Sequence, residues 1–172
     1  ATVVIRGKQT AYGADFAGTP PPWCPYPAES RPPILAAVEV DNGRVVLGGI
    51  NSSLRDGNWR ENEIPQLIEA IVRWLAPTEN DNRILWYQGY DVYNTLTPTA
   101  YEGEARCAII GEVLENLGFV VVPAEAEPIT SIKLEDFDVM IIPQMQLGSI
   151  GSGGDPSKLP DDDVQAIVDF VK

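Results

Sequence analysis

The sequence has no histidine in 172 residues. Without one, this stretch of chain holds no Ser-His-Asp triad, no Cys-His nucleophile pair and no His-ligated zinc. Basic residues are also scarce, with 12 Lys and Arg against 25 Asp and Glu and a formal charge of −13. An excess of that sign repels phosphate backbones and anionic lipid, which argues against nucleic-acid and membrane-surface binding. No apolar run reaches the 18 or so residues that a spanning helix needs. Cysteine is limited to Cys24, in a Pro-rich segment, and Cys107, in a helical pattern. Spacing does not decide between a bridge and two thiols. No signal peptide is visible, and the first residue is Ala1. The helix that runs to Lys172 lacks a capping signal. The chain therefore reads as a piece trimmed from something longer.

What is present is globular: 44% hydrophobic and 22% charged residues. Residues 2–6 read as a strand. Gly13 to Pro33 is dense in proline and contains Phe16, Trp23 and Tyr26, which suits an ordered loop lying over the body. Two β-rich runs follow, Ile34 to Val40 and Arg44 to Ile50. Asp41-Asn42-Gly43 separates them, and Asn-Gly predicts a tight hairpin turn. Asn51-Ser52-Ser53 is a glycosylation sequon.

A first helix is expected over Glu63 to Leu75, because Ile64, Leu67, Ile68, Ile71, Val72 and Leu75 share one helical face. Pro65 fits its first turn. The polar break at 77–82 divides residues 1–76 from residues 83–172. In the second segment, Arg83 to Tyr87 reads as a strand. A second helix is expected from Ala100 to Leu117, closed by Gly118. Phe119 to Val122 and Phe137 to Pro143 read as further strands. A third helix has an acidic start and an expected buried face of Val164, Ile167, Val168 and Val171. Near-continuous apolar strands alternating with helices predict an α/β fold, a mainly parallel sheet flanked by helices in a flavodoxin-like three-layer arrangement, plus one β-hairpin.

Several segments carry chemistry-bearing side chains. Asp155, Asp161, Asp162 and Asp163 are candidate ligands for calcium, which takes six to eight oxygens. The same acids would also complement a helix N-terminus. Asp56 to Glu63 resembles a calcium loop only loosely, lacks the spacing of the twelve-residue loop with a terminal Glu, and better suits a solvated loop capping the first helix. Gly148 to Gly154 lacks the Lys-Ser/Thr ending of a phosphate loop and is followed by aspartates. Trp86, Tyr87, Tyr90 and Tyr93 gather near the carboxyl end of the Arg83 strand, the edge where parallel sheets bind ligands. With Gln88, Asp91 and Asn94 they are candidates for a sugar or a partner loop, or for packing beneath the loop and a contact with another domain. Trp23 and Tyr26 are candidates for a docking surface or for a cover over the sheet.

Four pieces of the second segment carry a family resemblance: Arg83-Ile84-Leu85-Trp86-Tyr87; Leu114-Glu115-Asn116-Leu117-Gly118-Phe119-Val120-Val121; Leu134 to Pro143; and Leu159 to Val171. Together they resemble the front half of a class I glutamine amidotransferase-like domain, in the broad sense that includes non-catalytic, trehalose-utilisation-like modules. The hairpin with Gly43-Arg44-Val45-Val46 and the helix Asn62 to Leu75 resemble the closing half. The halves thus stand in permuted order, either because the chain straddles two domains of an array or because they form one composite domain. Enzymatic members of that superfamily place a Cys on a strained turn after the strand that would follow the third helix, with a His further on. The sequence reaches Lys172 before that strand, and neither Cys24 nor Cys107 stands at such an elbow.

The resemblance implies a non-catalytic structural or interaction domain of a secreted or cell-surface protein. It would need no cofactor and would partner other domains of its parent chain or copies of itself. The alternative is an accessory carbohydrate- or calcium-binding domain of an extracellular hydrolase. A fragment of an active amidotransferase-like enzyme is the third reading.

Overall fold

A computed structural model describes residues 2–6, 31, 33–49, 54–57, 64–78, 80, 82–99, 103–143 and 159–172. Trp23, Cys24, Tyr26, the Asn51 sequon, Gly148 to Gly154 and Asp155 lie outside the described residues. The chain divides into two compact units, Ala1–Ile50 and Asn51–Lys172. The division falls ahead of the polar break at 77–82, so the first helix is grouped with the second unit.

The first unit contains strands β1 (Thr2–Arg6), β2 (Pro33–Val40) and β3 (Gly43–Gly48) in an antiparallel sheet of order β1-β2-β3. Val40 pairs with Gly43, so the two-residue turn is Asp41-Asn42. Asp41, at φ 53°, takes the left-handed conformation, and Gly43 already belongs to β3. The Asn-Gly signal therefore locates the hairpin correctly but one residue late. Glu39 and Arg44 face each other across the ladder and form an ion pair at 3.3 Å. Leu35, opposite Ile5 and Gly48, is buried, the one such side chain among the described residues of this sheet, whereas Leu47 is 77% exposed.

The second unit is built on β4 (Arg83–Tyr87), which pairs in parallel with β5 (Val120–Ala124) on one side and β6 (Val139–Ile141) on the other. The order β5-β4-β6 puts β4 at the centre, and Ile84, Leu85, Trp86 and Tyr87 are all fully buried. An unbroken apolar run is what a parallel strand enclosed on both faces requires. At the edge, β5 tolerates Pro123, which has no N–H to donate, and leaves Val120 44% exposed. Arg83 ties the start of β4 to the segment leading into β6: its N–H donates to Asp138 at 2.8 Å and its Nε to the Asp136 carbonyl at 2.7 Å.

Three helices appear among the described residues: α1 (Ile64–Leu75), α2 (Ala108–Asn116) and α3 (Asp161–Val171). Helix α1 forms as expected, with Pro65 in its first turn and Ile68 and Val72 buried. Helix α2 joins β4 to β5 and buries Ile110, Gly111 and Leu114. A Cβ on Gly111 would meet Leu96 Cδ2 at 3.3 Å, so glycine permits close packing there. The helix ends at Asn116, and Gly118, just past the C-cap Leu117, takes a φ of 94° that favours glycine. The passage from β5 to β6 contains two single turns of 3-10 helix, Ile129–Ser131 and Leu134–Asp136.

Two helix expectations need correction. Residues 103–107 are not helical, and α2 begins only at Ala108. The Thr95 carbonyl draws the N–H groups of Arg106 and Cys107 away from a helical ladder, each at 3.0 Å. In α3, Val164 and Val168 are exposed, at 45% and 37%, while Asp163 is fully buried. The apolar periodicity marked the wrong stripe because a carboxylate with two hydrogen-bond donors takes the inward position.

The chain is thus mixed α/β, with a parallel three-stranded sheet, an antiparallel three-stranded sheet and three helices among the described residues. No described helix is long and apolar enough to cross a membrane.

Candidate functional site

The carboxyl end of β4 opens into a polar loop that is largely buried. Gln88 continues the strand by donating its N–H to the Ala124 carbonyl at 2.9 Å. Its side-chain Nε2 donates to Thr97 Oγ1 at 2.8 Å, and its Oε1 accepts the Leu96 N–H at 3.1 Å. One glutamine therefore staples both ends of the loop. Gly89 follows because nothing larger fits: a Cβ there would lie 2.8 Å from Tyr87 Cζ and 3.1 Å from the Glu125 carbonyl oxygen. Tyr90 and Asp91 then take φ of 51° and 52°, and Val92 N–H closes the turn onto the Gly89 carbonyl at 3.3 Å. Two consecutive left-handed residues of this kind cost on the order of 1–3 kcal/mol each, so surrounding contacts must hold them. They do: Tyr90 N–H donates to the Glu127 carboxylate and Tyr90 Oη–H to Asp163 Oδ2.

Asp163 reaches this turn from the first turn of α3. Its second oxygen, Oδ1, accepts the Thr130 N–H at 3.1 Å. A buried carboxylate needs such donors to offset its lost hydration. Burial, followed by the nearby Tyr90, Glu127 and Asp163, holds the Tyr87 hydroxyl far above its usual titration range. Burial, the bond to Asp163, and the charges of Asp163 and Glu127 do the same for Tyr90. Both phenols therefore stay protonated as donors at neutral pH, Tyr87 to the Ala126 carbonyl at 3.2 Å.

A second cluster surrounds the start of α2. Asp56 Oδ1 accepts the Ile109 N–H at 2.9 Å and Oδ2 accepts the Ala108 N–H at 3.2 Å. Free N–H groups and the positive end of the helix dipole make this a favourable place for an anion, and the chain fills it with its own carboxylate. The Arg55 and Arg106 guanidiniums lie 4.4 Å and 4.1 Å from the Tyr93 ring centre, within cation–π range. Arg55 Nε also donates to Asn94 Oδ1 at 3.4 Å, and the Asn94 carbonyl accepts the Trp86 indole N–H at 3.0 Å. Cys107 is a free, fully buried thiol. Burial, reinforced by the Asp56 charge and opposed by Arg55 and Arg106, pushes it up to about 12. A thiol held that high is a poor nucleophile.

The residues singled out from sequence fall as follows. Trp86, Tyr87 and Tyr90 lie together at the β4 edge but point into the core, and Tyr93 is half-buried under two arginines. Asp163 is drawn inward, while Asp161 and Asp162 stay at the exposed start of α3. Among the described residues no group of three or more Cys, Asp or Glu could hold a metal ion. Gln88 and Asn94, expected beside the aromatics as ligand contacts, are buried and bonded within the chain, whereas sequence reasoning did not single out Thr95, Arg55 or Arg106. It read Asp56 only as part of a loose loop, since its helix-capping partners lie 52 and 53 positions away. No protein-family model, curated protein or solved structure matches this chain.

Proposed function

We propose that this chain is a non-catalytic structural or interaction domain of a secreted or cell-surface protein, and that it assembles with copies of itself. The observation that carries the reading is how the carboxyl edge of β4 is used. Gln88, Asn94, Thr95 and Asp163 are all buried there and hydrogen-bonded to the chain itself. The aromatic side chains of that edge are core residues, and the thiol beside it is buried and held protonated. An edge tied up in this way supports a scaffold more than a reaction centre.

The proposal extends to the fold. The order β5-β4-β6 places the second and third strands of the unit on either side of the first. That is how a flavodoxin-like doubly wound sheet begins, and it suits the amidotransferase-like resemblance in its non-catalytic form. Exposed Val120 on β5 and Val164 and Val168 on α3 offer apolar contacts for assembly. Light scattering together with native mass spectrometry tests the reading. The expected result is a defined multiple of 18.7 kDa. A monomer whose melting temperature rises saturably with a sugar or calcium would replace it with the accessory ligand-binding reading.

A further inference from the structure

We propose that α3 is a detachable lid over the Tyr87–Tyr90 face of the parallel sheet, latched by Asp163. The inference goes beyond the assembly reading and does not depend on it. It rests on what α3 buries. Asp163 is its one fully buried residue, and a charged one. Ile167 packs only partly buried against the cluster of Tyr87, Tyr90, Val92 and Ile129, with Leu159 just ahead of the helix. Val164 and Val168 face solvent. Ala166, Phe170 and Val171 are likewise half-buried, so no apolar side chain of α3 is fully buried to resist local opening.

The latch has two donors from different parts of the chain. Tyr90 Oη–H comes from the turn after β4, and Thr130 N–H from the 3-10 turn after β5. Among the described residues, the side-chain hydrogen-bond and ion-pair partners of Asp163 include no cation. Its seat therefore depends on both donors being in place. On opening, the carboxylate regains water, which returns the hydration lost on burial. The latch thus specifies the closed state geometrically, and the regained hydration lowers the cost of leaving it. Opening uncovers an aromatic and apolar face at the carboxyl edge of a parallel sheet, the edge at which such sheets meet ligands.

Native-state hydrogen exchange on the whole chain, read by mass spectrometry, tests this. In the unaltered protein, amides of α3 exchange through a local opening and faster than those of β4. Tyr90→Phe removes one latch bond and keeps the ring. It speeds exchange in α3 by about tenfold, the effect of losing one hydrogen bond to a charged group, and leaves α3 exchanging faster than β4. Asp163→Asn, also close to isosteric, does the same and speeds tetranitromethane nitration of Tyr87 and Tyr90 while that of Tyr93 stays constant. The proposal is overturned if α3 and β4 exchange at one common rate in the unaltered protein. It is equally overturned if neither variant speeds α3 exchange, or if α3 exchange rises with urea as steeply as that of β4, which would make its opening global.

Discussion

Asp56→Ala tests the claim that α2 starts where it does because a distant carboxylate holds it. The Asp56 side chain accepts two α2 N–H groups, at 2.9 Å and 3.2 Å, and among the described residues no other side chain is seen to cap that helix. Loss of a capping side chain costs about 0.5–2 kcal/mol. Loss of a negative charge beside a helix N-terminus adds about 0.3–1 kcal/mol. The sum is about 2 kcal/mol, a large share of the roughly 5–15 kcal/mol by which a domain is stable. With a urea dependence of about 2 kcal/mol per molar, the unfolding midpoint should fall by about 1 M. Buried Trp86 supplies the fluorescence signal. Asp56→Asn keeps an acceptor and loses the charge, so it should lie about halfway. Glu112→Ala, at an exposed position of the same helix, should shift stability by no more than about 0.5 kcal/mol. If Asp56→Ala moves the midpoint no more than Glu112→Ala does, the capping argument fails.

Gly89→Ala should destabilise by about 1–3 kcal/mol, since its Cβ collides with the buried Tyr87 ring and the Glu125 carbonyl; a neutral urea midpoint would show that the turn yields. Stability should fall as pH rises above about 9. The Cys107 thiol and the Tyr87 and Tyr90 phenols titrate higher in the folded chain than their ordinary values of 9.0 and 10.0. Protonated groups therefore favour the fold below those values, and the unfolded chain gains by ionising above them, at up to about 1.4 kcal/mol per pH unit per group. Urea midpoints at pH 8, 9, 10 and 11 check this, and a level series would contradict it. Cys107 should resist iodoacetamide at pH 8 until the chain is unfolded, whereas rapid labelling of the native protein would place the thiol at the surface. Val164→Ser with Val168→Ser should alter monomer stability by no more than about 0.5 kcal/mol because both side chains are exposed, while lowering the sedimentation coefficient of any assembly.

The legible parts of this chain are those fixed by local pattern. The unbroken run Ile84 to Tyr87 forms a buried parallel strand, the period of Ile64 to Leu75 forms a helix, and Gly118 stands just past the end of α2. What remained illegible depends on partners far apart in sequence. The α2 start is moved to Ala108 by Thr95 and Asp56, neither of which sits in a helical pattern. The inward stripe of α3 is displaced because Tyr90, 73 positions earlier, offers a hydroxyl to Asp163. A hydrophobicity pattern counts a carboxylate as outward and cannot register a donor waiting for it. The aromatic cluster at the β4 edge was legible as a cluster, but composition did not show that the rings point inward.

The central claim, that this is an assembling scaffold domain, is tested most directly by sedimentation velocity across a range of protein concentrations, with and without calcium and a panel of neutral sugars. The account predicts a discrete oligomer that neither additive changes. A species that stays at 18.7 kDa at every concentration, and that calcium or one sugar saturably stabilises, would contradict it.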